Sequence, residues 1–201
     1  AVLSTWGYTS PAAQHLGDDR NEVLAALESA LADCDVVIST GGASVGDKDY
    51  LPAAAESLGV KRVFWKVAQK PGKPTFFGVL DRPDGSQCAM LALPGNPGAV
   101  LIGLLLHVRA ALDALEGARD IGVPWYGGLL TEDAERDLDR TRLVRMKLEI
   151  GPGGVAALQP LPHQDSHMLS NLGRADVLVW IEAGPTPVAA GSMLRWTPMP
   201  G

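Results

Sequence analysis

The apolar run Val36-Val37-Ile38-Ser39-Thr40 empties into Gly41-Gly42-Ala43-Ser44-Val45-Gly46-Asp47-Lys48-Asp49-Tyr50. This junction constrains the chain more than any other stretch. A short, β-branched run without alternation predicts a strand covered on both faces. Paired glycines directly after it force a turn at the strand's carboxyl end, where ligands bind in open α/β sheets. Gly41, Gly42 and Gly46 let the backbone approach a phosphate closely, and the small Ser44 leaves N–H groups free to donate. Asp47 and Asp49 would repel a phosphate unless a hard cation lay between them. Mg²⁺ suits that place, because it takes one or two carboxylates together with substrate phosphates. The junction therefore predicts a phosphate-bearing ligand held with a metal ion.

The flanking sequence supplies the rest of such a sheet. Asp19-Arg20-Asn21-Glu22 has capping-box spacing, and Val23, Leu24, Leu27, Ala30 and Leu31 then recur at helical period, predicting a helix that ends near Asp33. Asp49 could cap a following helix that carries Pro52 in its first turn and stops at Gly59. Val60–Val67 reads as a strand. Thr75–Leu80 and Gln87–Leu91 read as a hairpin about Asp84-Gly85. Leu93-Pro94-Gly95-Asn96-Pro97 breaks the chain before a long helix, Ala99–Leu115. Beyond Ile121 the helical period is lost. Leu143–Ile150, Val155–Gln159, Val177–Glu182 and Ser192–Trp196 are strand candidates, so a small all-β domain is expected. The predicted division is 1–120 for an α/β domain and 121–201 for the β domain, with the linker between Gly117 and Pro124.

Several side chains could carry chemistry. Lys66, Lys70 and Lys73 lie within eight residues stiffened by Pro71 and Pro74; they form either a solvated basic loop or a phosphate-binding one. Pro94, Gly95, Asn96 and Pro97 make either a rigid strand-to-helix turn or a helix start whose free N–H groups face an anion. Asp19 is explained as a helix cap, whereas Asp18 is not and could face the strand ends. Arg145 is either a solvated strand residue or one that reaches an anion. In His163-Gln164-Asp165-Ser166-His167 the two histidines lack further ligands for a metal, and Ser166 is the better candidate for a hydrogen bond to a ligand.

Composition narrows the classes. A net charge of −6 on 201 residues argues against coating nucleic acid. The longest apolar run, Ala99–Leu106, is broken by Gly103 and closed by His107 and Arg109, so no membrane span is expected. The start lacks a basic region followed by a long apolar one, which predicts no leader. Cys34 and Cys88 form no CxxC pair and read as free thiols of a cytoplasmic protein.

Taken together and in order, GGASVGDKDY, WKVAQKPGKP, LPGNP and PHQDSH resemble the molybdopterin molybdenumtransferase family, which includes MoeA and the gephyrin E domain. The resemblance covers about Asp18 to Trp196. It implies a three-layer α/β/α molybdopterin-binding domain with a mostly parallel sheet, followed by a small β-barrel. It implies binding of adenylylated molybdopterin (molybdopterin-AMP) and molybdate with Mg²⁺, cleavage of AMP, and insertion of molybdenum into the dithiolene. Asp18, Asp49, Lys66 and Lys70 then look like catalytic residues, with Asp47 and Asp49 on the metal. Gly41, Gly42, Ser44, Gly46, Lys73, Pro94, Gly95, Asn96, Pro97, Arg145 and Ser166 look like cofactor-binding residues. A homodimer and a molybdopterin adenylyltransferase partner are also implied. A non-catalytic, gephyrin-like scaffold module and an adenylyltransferase relative are the alternative readings. Since the family's larger chains begin with further domains, this chain is expected to be part of a longer polypeptide, the other reading being a stand-alone short homologue.

Overall fold

The computed structural model describes residues 2–8, 12–42, 50–164 and 171–200. A four-residue helix, α1 (Val2–Thr5), precedes α2 (Arg20–Asp33), β1 (Val36–Thr40), α3 (Leu51–Ser57), β2 (Lys61–Trp65), β3 (Gln69–Lys70), β4 (Phe76–Asp81) and β5 (Gln87–Leu93). A helix from Pro97 to Leu115, α4, follows and contains one π-helical turn over Leu104–Val108. The strands β6 (Tyr126–Leu130), β7 (Thr141–Ile150), β8 (Ala156–Pro160), β9 (Val177–Ile181) and β10 (Met193–Pro198) complete the chain. Packing divides the molecule into two compact units. The first contains Ala1–Val67 and Pro74–Gly95, and the second contains Ala68–Lys73 and Asn96–Met199.

In the first unit the strand order is β1-β5-β4-β2. β1 and β5 are parallel, whereas β5–β4 and β4–β2 are antiparallel. The expected mostly parallel sheet is thus a mixed one among the described residues. The cause is local: the Asp84-Gly85 turn makes β4 and β5 a hairpin, and a tight hairpin can only be antiparallel. Asp84 Oδ1 accepts from Ser86 N (2.9 Å) and Ser86 Oγ (2.7 Å), and Gly85 takes φ +87°. β1 was expected to be covered on both faces. It has one strand neighbour among the described residues, and its first four residues are half-buried.

The core of this unit gathers Leu27 and Leu31 from α2, Ala55 from α3, and Val60, Phe76, Cys88, Met90 and Ala92. α2 reaches it because Asp19 caps its start as the spacing predicts, Oδ1 accepting from Asn21 N (2.8 Å) and Glu22 N (3.1 Å). Its other end is closed by Arg82 from the hairpin. The Arg82 guanidinium donates to Leu31 O (3.0 and 2.8 Å) and to the Cys34 carbonyl, satisfying carbonyls a helix end leaves open. Burial pushes the Cys88 thiol above its usual range, and both cysteines are free.

In the second unit β7-β8-β6-β10-β9 run in that order and β9 pairs back to β7, so five strands close into a barrel. Closure leaves no edge exposed. Leu130, Val144, Met146, Leu158, Val177, Val179 and Ile181 fill the interior. β3 adds to β7 in parallel, Gln69 opposite Thr141 and Lys70 opposite Arg142. Through this pairing the segment 68–73 groups with the barrel. So does α4, whose Asp113 accepts from Gly122 N (2.9 Å) beyond the helix end. By length and composition α4 could cross a membrane, which the broken apolar run did not predict. Gly98, Ala99, Ile102, Leu105, Val108 and Leu112 form a buried stripe along it, the pattern of a helix packed on one side.

Candidate functional site

The directions of the strands decide what meets at the glycine turn. β4 runs against β5 and β2 runs against β4, so β1, β5 and β2 all point the same way. Registers Ser39↔Ala92, Ala92↔Phe76 and Phe76↔Trp65 form one row across the sheet. One residue further on, Gly41 N donates to Leu93 O (2.9 Å) and Lys66 N donates to Thr75 O (3.0 Å). Gly41, Pro94 and Lys66 therefore leave the sheet at the same end. With neighbouring strands about 4.8 Å apart, the Lys66 backbone lies about 10 Å from Pro94 and about 14 Å from Gly41.

The two glycine-bearing turns touch. A Cβ on Gly95 would lie 3.5 Å from Gly41 Cα. Gly41 and Gly42 adopt φ +91° and +67°, the left-handed conformation that favours glycine, and a Cβ on Gly42 would meet Leu51 Cδ1 at 3.0 Å. Cys34 and Asp35 alone separate α2 from β1, so α2 folds back along the strand and its N-terminus lies toward the same end. Asp18 is exposed there, one residue before the cap. Ser44, Gly46, Asp47 and Asp49 lie outside the described residues, as does Ser166.

Lys66 stands in the left-handed region at φ +70°, uncommon for a residue with a side chain. Its exposed ammonium sits 4.5 Å from the centroid of the Trp65 ring. Strained backbone of this kind concentrates at functional positions.

The remaining candidates belong to the second unit. Lys70 and Lys73 are exposed, so Lys66 falls on one side of the packing boundary and these two on the other. Asn96 begins α4; its carbonyl accepts from Ala99 N and Val100 N, both at 2.9 Å, and Pro97 occupies the first turn. Arg145 is 2% exposed, which rules out the solvated reading.

Three carboxamides that sequence reasoning did not single out hold backbone in this unit. Gln164 continues the ladder where β8 stops. Its Oε1 accepts from Arg145 N (3.0 Å), and its Nε2 donates to Arg145 O (2.9 Å) and Leu161 O (2.6 Å). Oε1 also accepts from Arg145 Nε at 3.4 Å. Asn171, 3% exposed, donates through Nδ2 to the carbonyls of Pro162 and of His163, the latter at 2.7 Å. Gln69, 6% exposed, donates through Nε2 to Pro71 O (3.1 Å), while its Oε1 lies 3.0 Å from His107 Nε2. The signal available in sequence was position alone: Gln69 and Gln164 stand inside motifs already noted, whereas nothing local marks Asn171.

Among the described residues no group of three His, Cys, Asp or Glu side chains gathers to hold a metal ion. A cleft of about 450 Å³ is lined by Glu28, Leu31, Leu58, Asp81, Arg82 and Asp84, but it lies at the hairpin end of the sheet, away from the glycine turns.

Comparison with known proteins is consistent along the chain. Residues 1–114 match the family described as "Probable molybdopterin binding domain", and residues 128–199 match "MoeA C-terminal region (domain IV)". A molybdopterin molybdenumtransferase of Staphylococcus epidermidis is 30% identical over 177 residues, 88% of this chain and 41% of the relative. One from Synechocystis is 34% identical over 174 residues, covering 87% and 41%. Thus the chain spans about two-fifths of the length of these curated relatives. A solved molybdopterin biosynthesis MoeA protein from Pyrococcus horikoshii is 26% identical, with a TM-score of 0.69 over 92% of this chain and 42% of that one. A molybdenum cofactor biosynthesis protein from Pyrococcus furiosus is 22% identical with a TM-score of 0.66, covering 91% and 56%, a likeness of fold alone.

Proposed function

Because the chain belongs to the MoeA family of molybdopterin-binding proteins, we propose that it is the part of a molybdopterin molybdenumtransferase that binds molybdopterin-AMP and molybdate and inserts molybdenum into the dithiolene as AMP is released. One observation carries this reading: the two glycine turns and Lys66 leave the sheet at one end, with Gly95 against Gly41. Backbone N–H groups in such turns suit phosphate oxygens. The dithiolene chemistry belongs to the cofactor, and the protein's part is to bind and orient it.

Gly41, Gly42, Ser44, Gly46, Pro94 and Gly95 are assigned to the pyrophosphate side of the substrate, and Lys66 to its negative charge as a preorganised cation. In the second unit Lys70, Lys73, Asn96, Pro97, Arg145 and Ser166 are assigned to anionic oxygens of the substrates. Asp18 is assigned with Asp47 and Asp49 to orient the reacting anhydride. Mg²⁺ is assigned to Asp47 and Asp49, where it would polarise a phosphorus–oxygen bond when bound. No described cluster offers the ion a ligand set, so nothing else in the reading depends on it. A three-layer arrangement of the α/β domain, a domain boundary near residue 120, a homodimer, an adenylyltransferase partner and a cytoplasmic location complete the proposal.

In a parent-length protein, Asp49→Ala and Lys66→Ala are each expected to abolish molybdenum insertion, read as reconstitution of cofactor-free nitrate reductase, with circular dichroism unchanged. Wild-type reconstitution by both variants would remove the assignment.

A further inference from the structure

The sequence predicts one long helix over Ala99–Leu115, and within α4 the helix widens into a π-helical turn at Leu104–Val108. Such turns insert one residue into a helix, re-aim its side chains, and are frequent at functional sites. Here the turn contains His107, which none of the assignments above uses. Its Nε2 lies 3.0 Å from Gln69 Oε1. The other end of the same carboxamide is committed, because Gln69 Nε2 donates to Pro71 O at 3.1 Å. With Nε2 thus oriented, Oε1 needs a donor, so His107 carries its proton on Nε2.

The bracket is close-fitting. Gln69 is 6% exposed, and its backbone is held in the ladder opposite Thr141. At Gly72, φ is +98° and a Cβ would lie 2.5 Å from Gln69 Nε2, so a side chain there must displace the carboxamide. A buried amide is therefore bound on one side to a helix and on the other to the loop bearing two exposed lysines, with glycine leaving it room.

We propose that His107 and Gln69 are positioning residues for Lys70 and Lys73, fixing the loop so that the two ammonium groups are presented to an oxyanion of the molybdate or phosphate class. This inference rests on the assignment of Lys70 and Lys73 to anionic oxygens. It goes beyond that assignment by making their affinity depend on a helix turn that touches neither lysine in sequence. A loop held in its binding conformation loses less entropy when the anion arrives. Burial of the His107 ring, which lowers its proton affinity, favours the neutral donor form at ordinary pH.

The test is titration calorimetry of this chain with molybdate, alongside thermal unfolding. Lys70→Ala and Lys73→Ala should each weaken binding. His107→Leu and Gln69→Met should weaken it about tenfold, the effect of losing one well-made hydrogen bond. His107→Gln, which offers a donor near the position of Nε2, should restore affinity to within about twofold. Combining His107→Leu with Lys70→Ala should cost less than the sum of the two, because a misplaced lysine has less to lose. Rescue by glutamine together with this non-additivity supports positioning and would not arise from general loosening of the fold. If His107→Leu does not fold, Gly72→Ala reads the same coupling by displacing Gln69 without touching the helix. If the lysine variants bind molybdate as tightly as wild type, the oxyanion assignment itself fails. If they bind weakly while His107→Leu and Gly72→Ala bind normally, or if the losses simply add, the lysines keep their role and the positioning inference is overturned.

Discussion

At the strand ends of the first unit, the described part of the candidate site is largely backbone. Gly41 and Gly42 turn through positive φ, Gly95 packs on Gly41, and side chains matter there mainly by being absent. In the second unit Lys70, Lys73 and Arg145 are long side chains, and carboxamides hold backbone near them or in the polar loop: Gln164 on Arg145, Gln69 on Pro71, Asn171 on Pro162 and His163. The difference has an energetic consequence. A backbone site is limited by conformational cost, about 1–2 kcal/mol for a side chain forced into the left-handed region. A bracketed site is limited by buried hydrogen bonds, and stranding one partner costs about 1–3 kcal/mol for each group left unpaired.

That contrast can be broken directly. Gln164→Leu keeps the volume but leaves Arg145 N–H without its acceptor beside a buried guanidinium. It should lower stability by about 2–3 kcal/mol in denaturant titration. Among the described residues a Cβ on Gly41 would meet nothing within 4 Å, so for Gly41→Ala the backbone term is the one counted, and the loss should be about 1 kcal/mol. If the glycine variant proves the more damaging, the two units do not differ in the way described.

The same contrast explains what could be read from the sequence. Backbone devices announce themselves locally. The Asp19 cap, the Asp84-Gly85 turn and the strand emptying into Gly41-Gly42 are each legible within about four residues, and each is where the sequence places it. Brackets join residues far apart, Gln69 with His107 or Gln164 with Arg145, and no local pattern marks them. β6 escaped notice for a related reason. Tyr126-Gly127-Gly128-Leu129-Leu130 has poor strand propensity, but Gly128 is required by packing: a Cβ there would lie 2.9 Å from Leu158 Cγ and 3.1 Å from Trp196 Cδ1. Trp196 in turn donates from Nε1 to Gly127 O (3.1 Å) and stacks on Tyr126. The mixed sheet was legible in the hairpin itself, and it was the resemblance, not the residues, that suggested a mostly parallel one.

An intermediate effect sharpens the claim that α4 packs with the barrel unit. Asp113, 1% exposed, accepts from Arg109 Nε (3.0 Å) and from Gly122 N, and its other oxygen lies 2.7 Å from Arg109 Nη2. The Arg109 hydrogen bond, foremost, holds the carboxyl below its usual range. A depressed carboxylate stabilises the fold at pH values above its unfolded pKa, about 3.9. That contribution is lost as pH falls through the lower folded value. Asp113→Asn should therefore cost about 1.5 kcal/mol at pH 7. The gap between variant and wild-type melting temperatures should close below about pH 4. A gap that persists unchanged into acid would mean the carboxylate's charge is not what ties the helix end to Gly122.

The smallest stability effect is expected at a position where the two kinds of site meet, a long side chain on glycine-like backbone. Lys66 holds φ +70°. Comparing Lys66→Gly with Lys66→Ala removes the same ammonium and the same contact with Trp65, so the difference isolates the backbone. Glycine relieves about 1–2 kcal/mol of left-handed strain and gives back about 0.5–1 kcal/mol in unfolded-chain entropy. The glycine variant should then be the more stable by about 0.5 kcal/mol in denaturant titration. Both variants should fail in molybdenum insertion, whereas Lys66→Arg should retain part of it, because the charge survives on the same strained backbone. A glycine variant less stable than the alanine one would show that the left-handed turn is not strained. The case for a lysine kept there against its own conformational preference would then rest on its charge alone.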